Sequence, residues 1–147
     1  MTRLKRLETV QGVLGDRAEA SARQLEQARR RVTEAEDRLT QLQQFREDYR
    51  RDVAGEGQGL IDAFRLRDFN AFISRLDAAI AQQHRHLMDL RQQADGLQEH
   101  WLTERRRADA VEKVVDKQRA AVRRDEASAE QRASDELALR MRRFRTF

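Results

Sequence analysis

Few residues in this chain have the types and spacing that chemistry requires. Its three histidines are His84, His86 and His100. No two stand three or four positions apart, the spacing that brings two imidazoles together on one helix face. Solvated helix surface is their expected setting, and no metal site is expected. With no cysteine, the chain has no thiolate ligands, disulfides or thiol nucleophile. Serine and aspartate are present, but a Ser-His-Asp arrangement works only in a cleft that excludes water. The glycine cluster at Gly55, Gly57 and Gly59 lacks the Lys-Ser/Thr ending of a phosphate-binding loop. No catalytic residues and no cofactor are expected, and the chain reads as an interaction protein, not an enzyme.

Arginine is the unusual feature. Of 30 basic residues all but Lys5, Lys113 and Lys117 are Arg, and 26 acidic residues nearly balance them. Runs occur at Arg29-Arg30-Arg31 and Arg105-Arg106-Arg107. The last eight residues hold Arg140, Arg142, Arg143 and Arg145, which alone equal the net charge of +4. Elsewhere acids and bases interleave at i,i+4, as in Glu34/Arg38 and Glu47/Arg51, which supports helices. A nucleic-acid surface would show a basic stripe with stacking aromatics. Interleaving makes that reading the weaker one.

The elements that position these residues follow from composition and period. No run of about 18 apolar residues exists, so no transmembrane helix is expected. Residues 1–10 carry no apolar core of a secretory signal, so a cytoplasmic protein is the default. Aromatics are 5% and proline is absent, while Ala, Leu, Glu, Gln and Arg dominate; this favours helix over sheet. A chain this polar could instead be disordered, and periodicity decides between the two. Starting from Leu4 and Leu7 and advancing by sevens gives fifteen seam positions to Val53, twelve of them apolar or aromatic. A second seam from Phe69 and Ile73 runs to Val122, with thirteen of sixteen positions fitting. These are heptad seams of a coiled coil.

Between the seams the glycine cluster predicts a loop, with Asp62 and Asp68 as candidate N-caps. Gly12 and Gly15 predict weak first turns. The expected fold is all-α: one long two-helix antiparallel coiled-coil hairpin spanning 1–147. Helix one covers about 2–54, the loop about 55–61 and helix two about 62–140. Helix two is longer and overhangs, because an antiparallel partner of equal length runs out near residue ~120. Beyond Val122, Leu137, Met141 and Phe144 form a new stripe. It reads either as a frayed tail or as a docking surface. Ala18, Ser21, Ala28 and Ala35 thin the first seam, so modest stability is expected.

The segment 64–84 is the most informative. Phe69, Ile73, Leu76 and Ile80 serve the seam. Phe72, Leu76, Ala79 and Gln83 make a second line beside it. Phe72 either widens the core against Phe45 or Tyr49, or stands exposed as an anchor for a partner. Physics alone leaves both readings open.

Here a resemblance enters. The stretch FREDYR at 45–50, a glycine-containing loop, RDFNAFISRLDAAIAQQ at 67–83 and then Trp101 resemble the FliJ family. Its members are small coiled-coil components of the bacterial flagellar type III export apparatus. The resemblance covers the chain and is strongest from Phe45 to Gln83. It implies a non-enzymatic, central-stalk-like protein needed for flagellum assembly and motility. That protein binds the hexameric export ATPase FliI, the export gate protein FlhA and export chaperones. It implies a location at the cytoplasmic face of the inner membrane, with the membrane reached only through the gate. The gate-contacting positions would be Phe72, Leu76, Ala79 and Gln83, with Gln83 standing where the family can have His. The ATPase contact would lie at the paired helix ends, with Arg140, Arg142, Arg143 and Arg145 as its candidates. Alternatives are the equivalent stalk of a virulence type III secretion system, an Arg-rich nucleic-acid-binding coiled coil, and a structural homodimer.

Overall fold

The computed structural model describes residues 2–56 and 63–145. Two helices account for them, α1 (Arg3–Glu56) and α2 (Ala63–Arg145). They pack as an antiparallel coiled-coil hairpin with the second helix the longer. Described residues include no strand. Helix α1 begins on Thr2, whose hydroxyl oxygen accepts from the Lys5 amide at 3.2 Å. The Thr2 carbonyl accepts from the Arg6 amide, also at 3.2 Å. Thr2 is therefore an N-cap, satisfying donors that a helix start leaves open. At the other terminus Arg142, Arg143 and Arg145 occupy the last turn of α2, where cations complement the helix dipole.

Two expectations change on contact with the structure. Gly55 and Glu56 continue α1; the rest of the expected loop, and Asp62, lie outside the described residues. Asp68 is inside α2 and caps nothing, because helical hydrogen bonding has begun at least five residues earlier. Gly12 and Gly15, expected to weaken the first turns, sit within an unbroken helix.

The chain divides into two units. One is Ala20–Trp101. In it α1 and α2 run antiparallel, since Glu36 meets Arg91 at 3.2 Å while the later Arg46 meets the earlier Asp77 at 2.6 Å. Its core is a single file of seam residues: Ser21, Leu25, Ala28 and Ala35 from α1, and Leu76, Leu87 and Ala94 from α2. Small residues dominate the α1 file, so each buried leucine faces little apolar mass.

The other unit is Met1–Glu19 with Leu102–Phe147. Val115 is fully buried, and Glu104 is buried with it. Leu4, Leu7, Leu14, Val111, Gln118 and Val122 are half-buried. Glu8 pairs with Arg119 at 3.3 Å across the two helices. From Arg123 to Arg145 every residue is exposed, yet α2 continues unbroken. The seam therefore stops where the period predicts.

Candidate partner-binding site

Phe45 and Tyr49 stand one turn apart on α1, and Phe69 and Phe72 one turn apart on α2. Antiparallel packing brings the four rings together. Tyr49 stacks on Phe69 at 5.7 Å between centroids, with 11° between the planes. It also meets Phe72 at 4.4 Å. Phe45 approaches Phe72 edge-on at 6.2 Å and 70°. The stacked and edge-on pairs are arrangements that the ring quadrupole favours, worth about 0.5–1.5 kcal/mol each beyond area burial. Arg46 Nε donates to Asp77 Oδ1 at 2.6 Å beside the cluster. Phe72 is half-buried and touches both rings proposed for it as core. The ring most exposed in the cluster is Phe45, at 51%.

The other three residues of the line have distinct settings. Leu76 is buried in the seam. Ala79 is half-buried. Gln83 is half-buried, and its side-chain amide donates to the Ala35 carbonyl at 3.3 Å. Leu76 and Gln83 thus face α1, while Phe72, Ala79 and Phe45 border solvent. On the loop side of the cluster Phe69 also lines an apolar hollow of about 240 Å³, together with Arg50, Val53, Ala54, Arg65 and Leu66. Sequence reasoning missed that hollow. Leu66, three residues before Phe69 and so on its face, is the signal that could have found it.

Arg140, Arg142, Arg143 and Arg145 are all exposed on the last turns of α2.

The family model "Flagellar FliJ protein" matches residues 3–145, nearly the whole chain. The chain belongs to the FliJ family. Among its relatives, the flagellar FliJ protein of Salmonella typhi is 28% identical over 134 residues, covering 91% of each chain. That of Escherichia coli (strain K12) is 27% identical over 134 residues, again covering 91% of each. No solved structure matches the chain significantly. The FliJ match takes in both helices, so the aromatic cluster and the arginines at the end of α2 both lie within it.

Proposed function

We propose that this chain is a non-enzymatic component of the flagellar protein export apparatus. In this reading it is a stalk-like coiled coil that binds the hexameric export ATPase FliI. It couples that ATPase to the export gate FlhA and to export chaperones, at the cytoplasmic face of the inner membrane. The observation that carries the reading is the family match over residues 3–145. Its flagellar description favours flagellar over virulence secretion. No described helix is long and apolar enough to cross a membrane, so attachment there would run through partners or a surface.

The gate contact is assigned to Phe72, Leu76, Ala79 and Gln83. Phe72 and Ala79 offer the accessible part of that line, and Leu76 and Gln83 hold its backbone against α1. The ATPase contact is assigned to Arg140, Arg142, Arg143 and Arg145. Long, exposed guanidinium groups in an acidic or carbonyl-lined pore can exchange partners and so bind without a fixed register.

The test mixes the purified chain with the cognate ATPase and records hexamer formation and hydrolysis rate, with and without residues 123–147. Stimulation by the full chain that is lost on truncation supports the stalk reading. Failure to associate removes it. A parallel pull-down on the cytoplasmic part of the gate protein should weaken at least tenfold with Phe72→Ala, about the cost of an aromatic anchor. It should be indifferent to replacing Arg140, Arg142, Arg143 and Arg145 by Ala.

A further inference from the structure

The basic end of α2 carries a feature that an ionic contact with an ATPase leaves unused. Leu137, Met141 and Phe144 lie at i, i+4 and i+7, one face of a helix. They are 58%, 61% and 84% exposed. Arg140 neighbours both Leu137 and Phe144 at helical spacing, and Arg145 neighbours Met141, so a guanidinium flanks the stripe on each side. Arg142 and Arg143 occupy the remaining face, together with Leu139. After Glu136 the chain contains no acidic residue.

We propose that residues 137–145 form an interfacial helix that lies on an anionic lipid surface. An apolar stripe bordered by arginines fits the boundary between acyl chains and phosphate headgroups. The long arginine stems reach outward so that their charge stays at phosphate level while the stripe sinks. Charge complementarity selects an anionic bilayer as occupant. A nucleic acid would use the arginines but gives no role to a leucine, a methionine and a phenylalanine on one line. The helix is too short and too charged to cross a bilayer, which leaves it on the surface. Two and a half turns give weak, reversible attachment, and attraction to the surface rises about fivefold with each arginine.

The test is flotation of the full chain with vesicles of phosphatidylcholine alone and of phosphatidylcholine with 30% phosphatidylglycerol, a proportion of about one anionic lipid in three. The chain should float with the anionic vesicles and stay behind with the neutral ones. Flotation should fall as salt is raised past the point where the Debye length is about 8 Å. Leu137→Ser, Met141→Ser and Phe144→Ser together should reduce binding at least tenfold. Replacing Arg140, Arg142, Arg143 and Arg145 by Ala should abolish it. Both variants alter exposed positions only, and circular dichroism checks that each keeps its helices. No flotation of the parent chain overturns the proposal. So does a serine variant that floats as well as the parent, which would make this end a general polyanion site. A parent chain that ignores vesicles and sediments as a dimer, dispersed by the same serine changes, overturns it in favour of self-association. No ATPase enters the assay, so its outcome is independent of the stalk reading.

Discussion

Glu104 occupies a seam position and is only 7% exposed. One carboxylate oxygen sits 3.5 Å from the mostly exposed Arg107, and the other is buried without a hydrogen-bond partner among the described residues. A buried acceptor left unmet costs about 1–3 kcal/mol. Glu104→Leu should therefore raise the thermal midpoint by several degrees, at about 2–4 °C per kcal/mol for a chain of this size. A lowered midpoint would mean that the carboxylate is satisfied in solution. The glycines give a second residue-scale expectation. A Cβ built at Gly12 or Gly15 meets nothing within 4 Å, and neither has the positive φ that would demand glycine. Each substitution to Ala should stabilise by up to about 1 kcal/mol, measured by urea denaturation. At this scale the sequence was partly legible. Glu104, seven residues after Leu97, is one of the three second-seam positions that do not fit and so is legible as a polar intruder. Thr2 as a cap was overlooked, although a threonine just before a helical run is the ordinary signal.

Seams are properties of elements, and they were read well because burial on a helix pair repeats every seven residues. All fifteen positions assigned on α1 and all sixteen on α2 are buried or half-buried. Within the file Leu87 is 3% exposed, so Leu87→Ala should cost about 2–5 kcal/mol. The same change at Leu139, 58% exposed, should be within about 0.5 kcal/mol of neutral. Chemical denaturation of the two variants side by side makes the comparison. The aromatic cluster was legible as a set but not as a surface. Periodicity put Phe72 beside the seam, yet whether Phe45 or Phe72 covers the other depends on rotamers and ring packing between helices. A double-mutant cycle on Tyr49 and Phe72 should give a coupling of about 1 kcal/mol. Independence of the two would show that the rings do not pack in solution.

For the molecule as a whole, charge is abundant but contributes little to holding it together. The ion pairs join side chains that are mostly a third to two-thirds exposed, as in Arg91–Glu36 at 3.2 Å and Arg119–Glu8 at 3.3 Å. Such pairs are worth about 0–1 kcal/mol each and are screened by salt. Raising ionic strength from low to about 1 M should thus leave stability within ~2 kcal/mol. Binding through the basic end of α2 should weaken steeply over the same range. Fold class was legible from composition and period together, whereas the partner surfaces rested on family resemblance, since exposed arginine and half-buried phenylalanine do not by themselves name what they bind.

The bare helix after Val122 also frees the chain from a bookkeeping constraint that governs the rest of it. One residue inserted between Leu25 and Leu39 would turn every later seam position by about 100° and put it on the wrong face. The same insertion between Arg123 and Glu136 disturbs no packed side chain. It moves the basic end about 1.5 Å along the axis and turns it about 100°. Length in this stretch is therefore adjustable, residue by residue, so the reach and bearing of the terminal arginines can drift or be retuned while the paired helices stay as they are.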